Sequence, residues 1–371
     1  MSLKIFGTEE RQHSPSVFQV GPVCPTGKAI DFCYLSNKFF PTPEIMDELS
    51  RDFSDVVRNY PSMQGEQTEL AARLTGYRPE QIIVGNGASE LIHLVTARLG
   101  SRWLMPYPSY MEYENVVRDF GKAVHLFQLQ EEEQFKVNAA RLVREVEENR
   151  IDAMVLPNPN SPTGQKTSVQ DLLQILDQAS SLKTVVIDES FIEFTAERRE
   201  DIPSLHAYLD KYPQLIIMRS LGKDFGVCGL RLGLMATANQ EVLAEIRRFL
   251  PIWNVSPLAE RFLRLCSGRM SDYERARVQC IRETQLLSEH LAKSGAVKVF
   301  ETYSNFILLK LLKGGATSVE LRDHLLSKMG FYVRDCSRKL GLGNKFIRIG
   351  TNLPAENARL VEAIAEFLAA H

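Results

Sequence analysis

The sequence lacks the features that mark several large classes of protein. Its 371 residues carry a formal net charge of -2, so they show no electrostatic footprint for nucleic acid or for an anionic membrane surface. No apolar run is long enough to cross a bilayer. The first residues, Met1 to Gly7, contain no apolar core of a signal peptide, and we therefore expect a cytoplasmic protein.

The sequence is equally poor in the patterns of disulfide scaffolds and metal sites. Its six cysteines are scattered, and none forms a Cys-x-x-Cys pair. A chain of this length needs no disulfides, so we expect reduced thiols in the core. The seven histidines show no pairing at ligand spacing, and we expect no metal site.

The chain does contain a regular alternation of short apolar segments and helical patterns. This alternation predicts an α/β fold with a mostly parallel sheet that helices cover on both faces. From about residue 240 long helices and short strands follow, which indicates a second, smaller α+β domain. The predicted strands of the large sheet are residues 81–84, 103–105, 123–129, 151–156, 184–187 and 215–218. Before them, apolar residues at helical spacing predict one helix over residues 44–57.

One lysine lies where an α/β enzyme holds its reactive groups. Lys223 comes just after the apolar run Leu215–Met218, within a glycine-rich segment that lets the backbone bend sharply. A lysine in such a place is either a surface residue of an ordinary loop or a Schiff-base lysine in a walled site. The residues at the other strand ends decide between these interpretations.

The other predicted strands also end in side chains or turns that suit one cofactor. A glycine turn at residues 85–90 opens a helix, which is how backbone N–H groups are presented to a phosphate, although many such turns only connect elements. Asp188 ends a buried strand and either needs a cation partner or faces solvent in a loop, while Tyr110 offers a ring for stacking. With Lys223 these groups are what pyridoxal phosphate needs, and Arg231 can add a charge-assisted contact to its phosphate.

Six motifs make the chain resemble a fold-type-I pyridoxal-phosphate enzyme of aminotransferase class I/II, from about residue 31 to 368. Within that class it is similar to histidinol-phosphate aminotransferases and threonine-phosphate decarboxylases. The motifs are Asn59-Tyr-Pro61, Gly85-Asn-Gly-Ala-Ser-Glu90, Asn158-Pro-Asn-Ser-Pro-Thr-Gly164, Ile187-Asp-Glu189, Ser220-Leu-Gly-Lys223 and Gly229-Leu-Arg-Leu-Gly233.

The resemblance implies the cofactor pyridoxal 5'-phosphate, with Lys223 carrying it as an internal aldimine and moving protons. It implies that Asp188 pairs with the pyridine nitrogen and that Tyr110 stacks on the ring. Tyr60 would reach the cofactor phosphate from a neighbouring subunit, so a homodimer is implied. The residues implied to bind the phosphate within the same chain are Gly87, Ala88, Ser89, Ser220 and Arg231.

The resemblance also implies a substrate with an acidic group. Arg334 and Arg348 match the two arginines that bind the substrate's phosphate and carboxylate, whereas the alternative interpretation of both is surface ion pairing. A guanidinium suits such a bidentate anion contact. Asn37 is a further candidate for substrate binding. A keto acid such as 2-oxoglutarate would be the second substrate of an aminotransferase.

The implied organisation has three parts. An N-terminal arm, residues 1–40, joins the small domain. The large cofactor-binding domain comprises residues 41–250, and the small C-terminal domain comprises residues 251–371.

Four departures from the family pattern leave the reaction open. Ser161 lies where the family has an asparagine that contacts the ring oxygen, with Asn160 one residue earlier, and either can make that contact. Phe191 replaces a tyrosine of the aminotransferase branch and resembles the decarboxylase branch. Gly222 removes a hydroxyl before the lysine, and the His-Gly-Gly motif of the decarboxylase branch is absent.

These observations lead to three functional hypotheses. The first is an aminotransferase for a small amino compound that bears a phosphate or phosphonate. The second is a decarboxylase of a phosphorylated amino acid, because the bond that breaks depends on its orientation to the cofactor ring. The third is a non-catalytic regulator with the same fold, against which the presence of both Lys223 and Asp188 argues.

Overall fold

A computed structural model of the chain describes residues 13–312 and 315–370 and contains two main sheets. The large sheet has seven strands, and six of them run in the same direction. The strand Leu232–Ala236 runs antiparallel to both of its neighbours. In spatial order the strands are Ile82–Asn86, Leu232–Ala236, Leu215–Arg219, Thr184–Asp188, Ala153–Pro157, Arg102–Tyr107 and Ala123–Gln128.

Helices cover the large sheet on both faces, as the apolar composition of its strands predicts. Alternate residues of a strand point to opposite faces, so Leu104 belongs to one apolar cluster and Trp103 to the other. One face packs against the helices Pro43–Ser50, Gln64–Thr75, Ala139–Glu148, Val169–Gln178 and Pro257–Ser267. The other face packs against Gly87–Arg98, Glu112–Asp119 and Gln240–Phe249.

The smaller sheet is antiparallel and has its own apolar core. Its four strands, in spatial order, are Arg334–Asp335, Phe346–Gly350, Phe306–Leu311 and Val297–Val299. The helices around it are Met270–Lys293, Ser318–His324, which continues as a π-helical turn Leu325–Met329, and Pro354–Ala369. A two-residue strand from the N-terminal segment, Ile30–Asp31, pairs in parallel with Phe331–Tyr332 next to this sheet.

Three elements differ from the sequence-based predictions. The single helix predicted for residues 44–57 is divided into Pro43–Ser50 and Phe53–Arg58, because Asp52 adopts a left-handed conformation with φ 51°. The helix Glu112–Asp119 was not predicted, and neither was the strand Leu232–Ala236.

The domain limits remain predictions. Helix Pro257–Ser267, from the predicted small domain, packs on the helices Pro43–Ser50 and Gln64–Thr75 beside the large sheet. Five of the six cysteines are buried free thiols, and the sixth, Cys228, is half-buried. Among the described residues, no helix combines the length and the apolar character that a membrane span requires.

Candidate active site

The carboxyl ends of the parallel strands meet at one edge of the large sheet and border a cavity of about 220 Å³. Side chains from the small sheet and from the N-terminal segment close the cavity on the opposite side. Ten of the predicted site residues line it: Ala88, Ser89, Tyr110, Ser161, Asp188, Ser220, Lys223, Arg231, Arg334 and Arg348. The structure therefore brings most of the predicted site together.

The glycine turn and Arg231 form a cradle suited to a phosphate. Gly87 begins the helix Gly87–Arg98 with φ +75°, and a Cβ there would lie 2.5 Å from Nη2 of Arg231. That nitrogen donates to Oγ of Ser89 at 2.9 Å. Free N–H groups at a helix N-terminus and a guanidinium attract the same anion. The residues present thus fit the phosphate of pyridoxal phosphate.

Asp188 is held as a buried carboxylate at the end of its strand. The hydroxyl of Tyr113 donates to Oδ2 at 2.9 Å, and the backbone N–H of Ser190 donates to Oδ1 at 3.0 Å. Burial raises the pKa of Asp188, while these hydrogen bonds and the charge of Lys223 act in the opposite direction. A carboxylate fixed in this way is suited to hold a protonated ring nitrogen.

Lys223 lies on a short helical turn, Leu221–Asp224, and the N-terminal segment holds this turn in place. The backbone N–H of Asn37 donates to the carbonyl of Lys223 at 2.8 Å. The Asn37 side chain donates to the carbonyl of Asp224 at 3.1 Å and accepts from the N–H of Phe39 at 3.0 Å. Asn37 therefore positions the lysine turn, and its role in substrate binding stays a prediction.

A buried ion network lies beneath the same turn. Arg219 contacts Glu193 at 2.7 Å and Asp224 at 3.0 Å, and the hydroxyl of Tyr273 donates to Asp224 at 3.2 Å. Burial raises the pKa of Asp224 to about 7, although the charge of Arg219 opposes that shift. The network fixes the residue that follows Lys223 in the sequence.

The two candidates for the ring-oxygen contact differ in their surroundings. The amide of Asn160 accepts from Oγ of Ser109 at 2.6 Å and donates to the carbonyl of Pro108 at 2.9 Å. Ser161 lines the cavity, and its Oγ accepts from Nη1 of Arg348 at 2.9 Å. The geometry favours Ser161, because it lines the cavity whereas the amide of Asn160 is already hydrogen-bonded to Ser109 and Pro108.

Three cations face the end of the cavity that the small sheet closes. Nη1 of Arg334 donates to Oγ of Ser14, and Nη2 of Arg348 donates to the carbonyl of Cys33 at 2.7 Å. The third cation, Lys339, was not predicted. Burial and the two guanidinium groups lower the pKa of Lys339 to about 7, whereas an anion bound beside it would favour its charged form.

The two predicted aromatic residues occupy different places. Tyr110 lines the cavity and packs edge-to-face on Tyr113, with ring centroids 6.3 Å apart. Tyr60 lies outside the cavity lining of its own chain, is 76% exposed and stacks on Trp253 at 4.2 Å. A contact from Tyr60 to the cofactor of a neighbouring subunit stays a prediction.

Sequence reasoning missed four residues that complete the site. They are His13, which lies 2.9 Å from Glu112, together with Tyr113, Ser190 and Lys339. Tyr113 lies three residues after Tyr110, in the helix Glu112–Asp119. A prediction of this helix would have indicated that Tyr113 lies near Tyr110. Ser190 lies two residues after Asp188, within hydrogen-bonding range of an aspartate in a turn.

Known proteins share both the sequence and the fold. The family model "Aminotransferase class I and II" matches residues 29–364. The chain is 31% identical over 366 residues to L-serine phosphate decarboxylase Cj1436c of Campylobacter jejuni, which covers 95% of this chain and 93% of that protein. A solved decarboxylase structure from Sulfurospirillum multivorans superposes with a TM-score of 0.88 at 30% identity, and covers 98% of this chain and 95% of that one.

A third relative is longer than this chain. CMP-5'-(3-aminopropyl)phosphonate synthase of Streptomyces rubellomurinus is 34% identical over 339 residues, which are 91% of this chain but 53% of that protein. The family match, the superposition and the fit of the cavity to the cofactor agree. The chain belongs to the aminotransferase class I and II family, and is a pyridoxal-phosphate-dependent enzyme of fold type I.

Proposed function

We propose that this enzyme decarboxylates a small amino acid that carries a phosphate or phosphonate group. The observation that carries the proposal is Phe191, which lines the cavity three residues after Asp188, the last residue of its strand. Its ring packs edge-to-face on Phe306 at 5.2 Å and is 8% exposed. A phenyl ring cannot donate the hydrogen bond that a tyrosine supplies at this position in the aminotransferase branch.

An apolar wall favours loss of a carboxylate. Apolar contact raises the free energy of an ionised carboxylate much more than that of neutral CO₂. Pyridoxal phosphate supplies an electron sink for the bonds at the substrate α-carbon when it is bound. The chain's own contributions are a lysine that can hold or release a proton, the buried Asp188, and cations that bind the distant acidic group.

The names of the relatives support a decarboxylase over an aminotransferase. Two of the three similar proteins described above are decarboxylases by name, and one of these acts on L-serine phosphate. Sequence analysis placed an aminotransferase first and a decarboxylase second, and its motifs are common to both branches. A decarboxylase needs no keto acid, so 2-oxoglutarate is not a substrate under this proposal. The cations at the far end, Arg334, Arg348 and Lys339, suit a phosphate or phosphonate.

The test is to incubate the holoenzyme with O-phospho-L-serine, with and without 2-oxoglutarate, and to follow the products by mass spectrometry. We expect CO₂ and phosphoethanolamine in equal amounts without any keto acid, and much slower turnover of L-serine. Amino transfer that requires 2-oxoglutarate and leaves the carbon skeleton intact would refute the proposal and establish the aminotransferase.

A substitution at Phe191 tests the observation itself. Phe191→Tyr adds a hydroxyl to the cavity wall, and we expect it to slow CO₂ release while amino transfer to a keto acid increases relative to it. Phe194→Tyr is the matched control, because Phe194 is also buried and belongs to the same apolar cluster but does not line the cavity. An unchanged ratio of the two reactions in Phe191→Tyr would contradict the role of this wall.

A further inference from the structure

Lys339 occupies a special place in the active-site cavity. It lines both the cavity described above and a second cavity of about 410 Å³ beside it, which Tyr110 and Met111 also border. Its Nζ donates to the backbone carbonyl of Ser109 at 2.9 Å, so one of its three N–H bonds is used. Two donors therefore stay available to a ligand.

The loop that carries Lys339 is held against the large sheet. Asp335 accepts from Oγ of Ser318 at 2.6 Å and from the N–H of Ser337 at 3.0 Å, which fixes the start of the loop. Gly341 has φ +82°, and a Cβ there would lie 3.0 Å from Cδ of Pro108. The ammonium group is thus positioned before any ligand arrives, which lowers the entropy cost of binding.

The charges at this end of the cavity are not balanced by the protein. Among the described residues, Arg334, Arg348 and Lys339 make hydrogen bonds to neutral oxygens and have no carboxylate in ion-pair contact. Nε of Arg348 is buried without a hydrogen-bond partner. Three basic side chains that line one cavity, one of which has an unused buried donor, point to an anion as the missing partner.

We propose that Lys339 completes a three-cation site with Arg334 and Arg348, and that this site selects the dianionic form of a phosphate or phosphonate over monoanions. The attraction of each cation to a ligand scales with the ligand's charge, so removal of one cation weakens a dianion more than a monoanion. A sulfate ester or a carboxylate carries one negative charge and gains less. This inference rests on the proposed function for the choice of a phosphate-bearing ligand.

The experiment compares two ligands that share a skeleton and differ in charge. Phosphoethanolamine and ethanolamine O-sulfate are titrated into the holoenzyme by calorimetry at about pH 7, where a phosphate monoester is mainly dianionic. We expect the wild-type enzyme to prefer the phosphate by at least about thirtyfold. Lys339→Gln should reduce this preference by about tenfold or more, the effect of one charge-assisted hydrogen bond.

Three variants separate charge from structure. Lys339→Gln keeps an amide that can donate to the carbonyl of Ser109, so it retains the loop contact and loses only the charge. Lys339→Arg keeps the charge and should restore the preference to within about threefold of wild type. Lys345→Gln is the matched control, because Lys345 is also half-buried and donates to a backbone carbonyl, that of Ala316 at 2.6 Å, outside the cavity.

Two results would overturn the inference: a wild-type enzyme with no preference for the phosphate, or a Lys339→Gln variant with the full wild-type preference. Neither measurement requires turnover, so the outcome is independent of the reaction. If phosphoserine releases no CO₂ but the preference depends on Lys339, the proposed function fails and the three-cation site stands. If CO₂ is released and the preference does not respond to Lys339, the proposed function stands and the three-cation site fails.

Discussion

At the scale of single residues, Asp188 shows how a charged group is kept at the end of a buried strand. Its carboxylate would be costly in the core without partners, and Tyr113, Ser190 and the charge of Lys223 share that cost. The arrangement keeps an acceptor ready for a protonated ring nitrogen. At the other end of the cavity, by contrast, Arg334, Arg348 and Lys339 have no carboxylate partner among the described residues, so that end stays positively charged until a ligand binds.

Tyr113→Phe should weaken cofactor binding by about tenfold, because it removes one hydrogen bond to a charged group, worth about 1.5 kcal/mol. The measurement is a spectroscopic titration of the apoenzyme with pyridoxal phosphate. Tyr212→Phe is the control, since Tyr212 makes an equivalent bond to Asp177 at 2.8 Å away from the site. Equal affinity in the Tyr113 and Tyr212 variants would show that Tyr113 does not support Asp188.

Lys223→Ala should abolish CO₂ formation and also the visible absorbance of the protein-bound cofactor. Of the two lysines among the described lining residues, Lys223 is the one whose charge acts on Asp188, whereas Lys339 is hydrogen-bonded to Ser109. Absorbance spectroscopy and product analysis check this. Lys166→Ala serves as the control, since Lys166 lies over the ring of Tyr303 and outside the cavity. An unaltered spectrum in the Lys223 variant would contradict the assignment of the cofactor lysine.

Single residues were predictable where a strand end or a motif marked them, and not where a tertiary contact created them. Asp188 and Lys223 follow apolar strands, so their place at the sheet edge follows from the sequence. Lys339 lies in the run Ser337-Arg-Lys339, which has the composition of a solvated loop. Its role depends on the contact of that loop with Ser109, 230 residues away in the sequence.

At the scale of elements, the N-terminal segment and the lysine turn form one packed unit. Gly226 follows the turn Leu221–Asp224 with φ +66°, and a Cβ there would lie 1.9 Å from the carbonyl oxygen of Phe40 and 2.4 Å from that of Asn37. The glycine is therefore required by two constraints, its backbone conformation and the close approach of another chain segment.

Gly226→Ala should destabilise the protein by about 2 kcal/mol or more, because left-handed backbone and a steric conflict act together. Thermal unfolding monitored by circular dichroism measures the change. Gly229→Ala is the control three residues later, since a Cβ at Gly229 meets nothing within 4 Å. A Gly226 variant as stable as the Gly229 variant would show that the two segments are not tightly packed.

Elements with a strong apolar period were predicted well, and elements that depend on local backbone geometry were not. The buried strands Thr184–Asp188 and Leu215–Arg219 lie within one residue of their predicted limits. The helix predicted for residues 44–57 is interrupted at Asp52, a conformation that its apolar pattern does not reveal. The strand Leu232–Ala236 was hidden by the glycines around it, and its antiparallel direction depends on pairing with Leu215–Arg219.

At the scale of the whole molecule, one region of the surface is unusually apolar. Phe53 and Val57 are one helical turn apart and are 53% and 65% exposed, and Met63 nearby is 60% exposed. The stacked pair Tyr60 and Trp253 continues this region. Such a surface supports the predicted homodimer, in which Tyr60 would contact the partner's cofactor phosphate.

Val57→Asp should convert a dimer into a monomer and should weaken cofactor binding, because a buried unpaired carboxylate opposes association. Analytical ultracentrifugation and cofactor titration measure the two effects. Phe18→Asp is the control, since Phe18 is 88% exposed and lies in another part of the chain. A wild-type monomer, or a Val57 variant that remains dimeric, would contradict the predicted interface.

The segment between Ile30 and Phe40 is a mechanical link between the small sheet and the lysine turn. One end pairs with Phe331–Tyr332, two residues before Arg334, and at the other end the N–H of Asn37 donates to the carbonyl of Lys223. The main chain from Asp31 to Asn37 thus connects the strand next to Arg334 with the lysine turn. If the small sheet moves when a substrate binds, we expect this connection to carry part of the movement to the lysine turn.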